Sequence, residues 1–419
     1  MAVLGLAWKS LVNRRATAAL TVFSIALSVT LLVGVDRLRH EARASFANTI
    51  SGTDLIVGAR SGGIQLLLYS VFRIGSPTNN IAWASYRDLA EHPRVAWTVP
   101  ISLGDSHRGY RVMGTTTAYF QHYRYGRDRA LAFAAGDPFD DLYDAVLGAQ
   151  VARQLGYRLG DELVVAHGAA DVDFTRHEDK PFRVAGILEA TGTPVDHTVH
   201  VSLQAIEAIH VGWQGGAPMP GFEVPAERLR TMDLTPDEIT AVLVGLTSRM
   251  AAFQVQRHVN DYPAEPLTAI LPGVALSELW NLMAVAENAL LVVAAFVVVV
   301  GLVGMLTALL ASLNERRREM AILRSVGARP VHVFALIMGE AGVLTLSGIG
   351  LGLALLYGLV LAARAVMAQH LGLHIAVTAP GGGELVLLGA VAMAGFVVGA
   401  IPAYRAYRLS LADGLSIRV

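Results

Sequence analysis

An α+β membrane protein is the fold class this chain predicts, with four transmembrane helices and a large extracytoplasmic α+β domain between helices 1 and 2. Three observations predict it. Of the 419 residues, 53% are hydrophobic and 16% charged, and four runs are long enough to cross a ~30 Å hydrocarbon layer, which takes about 20 residues of helix. The short segments flanking those runs are basic, whereas the long interval after the first run is acidic. That interval, Asp36–Ala286, also alternates strand-like and helix-like patterns over 251 residues, enough to bury a core without disulfides.

The four runs are Ala16–Val35, Ala289–Leu313, Ala341–Ala363 and Leu385–Ile401. The first is read as a retained span and not a cleaved signal peptide: its apolar core is long and no convincing small-residue cleavage site precedes Asp36. Trp8–Arg15 reads as a short interfacial helix leading into it. Leu38, Ala42 and Phe46 continue its four-residue repeat, so a helix Ala16–Ala47 would be about 48 Å long. Leu276, Leu279, Trp280 and Met283 form a matching lead-in to the second run.

Charge sets the expected orientation. Met1–Arg15, Asn314–Pro330 and Pro402–Val419 together hold 11 basic and 3 acidic residues, whereas Asp36–Ala286 holds 21 basic and 28 acidic. Arginines in short loops resist translocation, so both termini and the middle loop are expected in the cytoplasm and the long segment outside. Cysteine is absent, which excludes disulfides and thiolate metal sites.

The domain boundaries follow. Residues 1–48 hold the interfacial helix, first span and stalk. Residues 49–272 form the outer domain, residues 273–313 a second stalk and span, residues 314–330 a short cytoplasmic helix, and residues 331–419 the last two spans and the tail. Within the outer domain, Asp54–Ala59, Trp83–Glu91 and Val95–Leu103 read as strand, helix and strand. Ile239–Leu246, Ser248–Asn260 and Leu267–Leu271 repeat that order. Two β-α-β halves, 49–105 and 235–272, would form one layered unit interrupted by a mostly β insertion at about 106–234. Leu147–Leu155 is expected to be a helix ended by Gly156, Glu162–Ala166 and Phe182–Leu188 strands, and Gly212–Pro225 an irregular loop.

Asn314–Pro330, NERRREMAILRSVGARP, is the most informative stretch. Arg316, Arg317, Arg318, Arg324 and Arg329 supply charge; Met320, Ile322, Leu323 and Val326 supply an apolar face at helical spacing. Gly327 is placed to end the helix and Pro330 to prevent its continuation. A topology signal alone needs no apolar face, so a cytoplasmic partner is expected to dock there.

RRREMAILRSVGARP resembles the cytoplasmic signature of MacB/FtsX-type permeases, the membrane subunits of type VII ABC transporters. IPAYRAYRLSLADGL resembles that family's ending, WKSLVNRRATAALTVFSIALSV its first span, and VLGAQVARQLGYRLGDEL an element of its outer domain. The resemblance implies that Asn314–Val326 is a coupling helix seated in a groove of a cytoplasmic ATPase. Glu315, Arg318, Glu319, Ile322, Leu323 and Arg324 would be its coupling residues. ATP-driven motion would then be relayed to the outer domain, to export or extract a substrate from the periplasm or outer leaflet. No G-x-x-x-x-G-K-[ST] loop exists, and the only lysines are Lys9 and Lys180, so ATP hydrolysis is expected on a separate subunit. The chain thus resembles the split-subunit branch without a fused nucleotidase.

The expected partners are two copies of an ABC ATPase, a second copy or a paralogue of this chain, and membrane lipid. A periplasmic or outer-membrane partner is left open; no nucleic acid, cofactor or catalytic residue is expected. The expected location is a bacterial inner membrane. Two other functional readings stand beside transport: an FtsX-like signalling subunit controlling a periplasmic hydrolase, and a component of a divalent-metal (zinc) handling system.

Remaining signals are weighed against plainer explanations. Gly348 and Gly352 have G-x-x-x-G spacing and suit close packing within the four-helix set, or else a dimer face. Glu340 reads as a snorkelling or capping acid. Gln65–Phe72 reads as core, with a lipid- or substrate-contacting element as the alternative. His167, Asp171, Asp173, His177, Glu178 and Asp179 crowd one expected hairpin, with Asp196, His197, His200 and His210 beyond. Imidazole and carboxylate are zinc ligands, but the hairpin reads as a solvated loop and His197 and His200 fall on opposite faces, so no metal site is assigned.

Overall fold

The computed structural model describes residues 14–167, 177–214, 217–218, 224–315, 317–370 and 378–408. Most of the interfacial helix expected at Trp8–Arg15, half of the irregular loop expected at Gly212–Pro225, and Asp171 and Asp173 lie outside these residues. The longer helices are α1 (Arg15–Ala47), α2 (Gly63–Ser70), α3 (Trp83–Ala90), α4 (Ala149–Leu155), α5 (Leu203–His210), α6 (Ala252–Asn260), α7 (Pro272–Glu315), α8 (Arg317–Ser325), α9 (Pro330–His370) and α10 (Gly382–Arg408). The chain divides into two compact units, one containing the four long helices and the other chiefly Ala42–Met283.

In the helical unit, α1, α7, α9 and α10 are each long and apolar enough to cross a membrane. Ile25, Val29 and Val33 of α1 meet Met305 and Leu309 of α7, Leu344 and Leu356 of α9, and Leu388 and Val391 of α10. Phe296, Val300, Leu359 and Val386 point outwards, as lipid contact allows. Where no water competes, hydroxyls turn to carbonyls. Ser28 Oγ donates to Val297 O at 3.1 Å and Thr30 Oγ1 to Gly352 O at 2.9 Å. Arg37 is buried, 3.5 Å from the Glu384 carboxylate, and donates to Thr378 O at 2.6 Å.

The second unit is built on one eleven-stranded sheet. Its strands are β1 (Leu55–Ala59), β2 (Val95–His107), β3 (Tyr110–Thr115), β4 (Phe133–Gly136), β5 (Asp144–Leu147), β6 (Glu162–Leu163), β7 (Ala166–His167), β8 (Phe182–Leu188), β9 (Thr198–Ser202), β10 (Ala241–Leu246) and β11 (Leu267–Ile270). The order is β11-β1-β10-β2-β3-β9-β5-β8-β4, with β7 also pairing with β2 and β6 with β8. The two β-α-β segments interleave. β10 lies between β1 and β2, and β1 lies between β10 and β11, all antiparallel. This is a split β-α-β arrangement.

Both faces of that part of the sheet are covered, which is why its strands are apolar without alternation. Ile56, Val99, Ile101 and Leu243 face Leu66, Leu67 and Tyr69 of α2. Leu55, Val57, Val242 and Val244 face Leu89 of α3 and Val255 and Val259 of α6. The apolar run Gln65–Phe72 is therefore core, with Leu66, Leu67, Tyr69, Val71 and Phe72 buried. A third cluster packs α4 and α5 on β5, β8 and β9, through Val151, Ile209, Leu147, Phe182 and Val199.

Two local expectations shift. The helix expected over Leu147–Leu155 begins at Ala149, because Leu147 ends β5 and pairs with β8 and β9. The strand expected over Glu162–Ala166 splits, since β6 serves β8 and β7 serves β2.

His200 of β9 is fully buried against the Tyr119 and Phe120 rings, with Nδ1 3.2 Å from Val146 O. Burial, and then the charge of Arg73, push it down to about 3. Between its ordinary value of about 6.5 and that pH, the unfolded chain binds a proton that the native chain refuses, so stability falls as pH falls through this window, by up to about 1.4 kcal/mol per pH unit. His200→Gln is expected to flatten the acid limb of Tm against pH in the detergent-solubilised chain. An unchanged slope would show that His200 is not the group responsible.

Candidate functional site

The nine-residue helix α8 lies between α7 and α9. Val326 N–H donates to Ile322 O at 3.1 Å and Gly327 N–H to Arg324 O at 3.1 Å. Gly327 then takes φ +104, a conformation an L side chain rarely adopts. Pro330 opens α9, where a missing N–H costs nothing, and Arg329 N–H donates to His332 Nδ1 at 3.1 Å.

The apolar row read from the sequence divides into two. Met320 is buried against Leu313, Val333, Ile337, Ala403 and Ala406, the ends of α7, α9 and α10, and its neighbour Ala321 is buried as well. Ile322 is 52% exposed and Val326 84%. These two, one turn apart, share an outward stripe with exposed Glu319. Arg324 is half-buried. Arg318 and Leu323 belong to the helix, but their side chains lie outside the described residues. Glu315 ends α7 and pairs with half-buried Arg14 at 2.6 Å, its own carboxylate exposed; such surface pairs contribute little. The helix thus has an inward face that fixes it to the bundle and an outward face of mixed apolar and charged character.

Gly348 and Gly352 face α1. A Cβ at Gly348 would stand 2.6 Å from Ile25 Cγ2, and one at Gly352 2.7 Å from Ala26 O. Glu340, also on α9, is buried beside a cavity of about 30 Å³ lined by Arg14, Thr17, Thr21 and Ser312. It faces inwards and does not snorkel.

The outer unit contains a second constellation, which the sequence reading dispersed. Asp105 of β2 lies opposite His167 of β7 in the antiparallel register, and His210 ends α5. Asp105 Oδ1 is 3.2 Å from His167 Nδ1 and 3.4 Å from His210 Nε2, and those two nitrogens are 3.0 Å apart. His177 completes the group: one ligand atom from each of the four lies within 4.8 Å of the others. His177 is not solvated, against the sequence expectation. It is fully buried, its ring 4.1 Å from that of Trp213, and its backbone N–H donates to Val165 O at 2.9 Å.

The electrostatics are those of a buried carboxylate among imidazoles. Burial pushes the Asp105 carboxyl up, but hydrogen bonds and charge from His167 and His210 outweigh it and hold the group at about 2. The hydrogen bond to Asp105 raises His167. Burial, and then His210, lower His177 to about 4. The sequence signal missed was Asp105, an acid just before the hairpin turn at Arg108-Gly109. Its separation from the histidines made it look unrelated.

Comparison with known proteins sets these features in a family. The MacB-like periplasmic core domain matches residues 18–261, more than half of the chain, and the FtsX-like permease C-terminal domain matches residues 291–411. The macrolide export ATP-binding/permease protein MacB of Nitrobacter winogradskyi is 24% identical over 416 residues, covering 95% of this chain and 57% of that protein. The protein of the same name from Bdellovibrio bacteriovorus is 22% identical, covering 97% of this chain and 60% of its own length. The chain therefore spans little more than half the length of these relatives. The crystal structure of the periplasmic region of MacB from Actinobacillus actinomycetemcomitans superposes with a TM-score of 0.35 at 11% identity, covering 56% of this chain and 95% of that one. With four apolar helices and both domain matches, the chain belongs to the MacB/FtsX-type family of ABC transporter permeases.

Proposed function

We propose that this chain is the transmembrane subunit of an ABC transporter in a bacterial inner membrane, relaying motion of a separate cytoplasmic ATPase to its outer domain. Two copies, or one copy and a paralogue, would assemble with two ATPase subunits. The observation that carries the reading is α8, fixed to the bundle by Met320 while Glu319, Ile322 and Val326 face outwards. An outward row of apolar and charged side chains on a short helix is what a docking groove reads. The arginines flanking it support a cytoplasmic position for this loop and, with it, a periplasmic one for the outer unit. The outer unit drives export or extraction of a substrate from the periplasm or outer leaflet.

Orientation is tested by labelling single cysteines in a chain that has none. Ser76 and Ser325 are both exposed. Ser76→Cys is expected to react with an impermeant thiol reagent in intact spheroplasts, and Ser325→Cys only after permeabilisation. Labelling of Ser325→Cys from outside would overturn the topology and the reading together.

A further inference from the structure

We propose that Asp105, His167, His177 and His210 form a mononuclear site for a divalent metal ion of the zinc class, against the sequence expectation of none. Three imidazoles and one carboxylate are a complete tetrahedral donor set of borderline-soft nitrogen and hard oxygen, with no thiolate required. In a tetrahedral zinc centre with bonds near 2.1 Å, ligand atoms stand about 3.4 Å apart. The three edges here, 3.0, 3.2 and 3.4 Å, are close to that.

Hydrogen bonding alone leaves this cluster unsatisfied. Asp105 Oδ1, His167 Nδ1 and His210 Nε2 form a triangle with three short edges, and its two nitrogens supply two protons at most. If both point at the carboxylate, the nitrogens confront each other proton to proton. If one points at the other nitrogen, an edge to the carboxylate is lost. A cation at the centre resolves all three edges, because lone pairs then converge on it.

His177 is the second, independent observation. It is fully buried, and neither ring nitrogen has a hydrogen-bond partner among the described residues. A buried polar atom left unpaired is costly, and this one lies within 4.8 Å of the other three ligand atoms. The Trp213 ring over His177 supplies an apolar shell that lowers the local dielectric. His167 and His210 are half-exposed and give an ion its way in. Neutral imidazoles and ionised Asp105 would leave the loaded site with one net positive charge. The ion would tie β2, β7 and the C-terminal end of α5 together.

The test uses the full chain in detergent, stripped with a chelator and titrated with zinc chloride. Bound metal is measured by mass spectrometry after dialysis, and affinity by competition with a chromophoric chelator. We expect one zinc per chain and a raised Tm. Asp105→Asn and His210→Gln are expected to weaken binding by at least about a hundredfold, more than loss of an outer partner of a ligand brings. His177→Phe keeps ring volume beside Trp213 and should lose the tight site as well. His258→Gln, in the separate His92–His258 ring contact at 5.0 Å, is expected to bind like wild type. If Asp105→Asn does not fold, His210→Gln at the half-exposed helix end decides alone. Absence of stoichiometric zinc in the wild type, or wild-type affinity in a folded His210→Gln, would overturn the site. Neither result bears on the permease reading, which rests on the other unit.

Discussion

Ile322→Asp is expected to abolish stimulation of the partner ATPase while leaving the outer unit folded. Ile322 is 52% exposed on α8, one turn from Val326, and its aliphatic surface is the natural anchor for a groove. Removing a buried apolar anchor costs roughly 1–3 kcal/mol, a loss of about 5–150-fold in affinity, and a carboxylate in its place adds desolvation. Leu323→Asp, the substitution that sequence periodicity alone suggests, is expected to behave alike. Met320→Ala should act differently, because Met320 packs on Leu313, Val333 and Ala403. That change loosens α8 from its own bundle and lowers Tm. Co-purification of the ATPase and its stimulated turnover are the readouts. If Ile322→Asp keeps both at wild-type level, α8 is a topology signal and the proposed relay fails.

Gly352→Ala is expected to lower the Tm of the detergent-solubilised chain, and Gly350→Ala is not. A Cβ at 352 would stand 2.7 Å from Ala26 O and 2.9 Å from Val29 Cβ, whereas one at 350 meets nothing within 4 Å. The backbone at 352 is also held where it is, since Thr30 Oγ1 donates to its carbonyl at 2.9 Å and to Ala26 O at 2.8 Å. Overpacking of this kind typically costs about 1–3 kcal/mol, while both substitutions gain the same helix propensity, about 1 kcal/mol. Equal Tm shifts for the two variants would show that α1 and α9 do not approach each other at this point.

The legible parts of the fold were those set by short-range pattern. Leu55–Ala59, Trp83–Ala90 and Val95–His107 occur as strand, helix and strand because each carries its signal within about ten residues. The interleaving of β10 between β1 and β2 was not legible. Leu55 finds Val244 and Ala241 finds Ile101 across most of the unit, and all these strands are equally apolar, so composition does not choose their neighbours.

The same limit applied to the sites. Periodicity grouped Met320 with Ile322 and Val326, yet the ends of α7, α9 and α10 claim Met320 and leave Ile322 and Val326 exposed. Only the bundle decides which part of an apolar row is left for a partner. His167 and His177 stood close in sequence and looked like solvated loop. What joins them into one cluster is Asp105, 62 residues before His167 and brought opposite it by strand pairing. His197 and His200 diverge because the former sits in the 3-10 turn Pro194–His197 and the latter within β9.

The length of β2 determines how the outer unit comes apart. Val95–Ile101 pairs with β10, and Ser102–His107 pairs with β3 while Asp105 and Ser106 also pair with β7. One strand is therefore the common backbone of two cores, so neither can melt while the other keeps its ladder. Amide hydrogens of β10 and of β3 should exchange with similar opening free energies, as members of one cooperative unit. An excised insertion would carry away half of that strand's partners and leave an open sheet edge, the kind that recruits other chains.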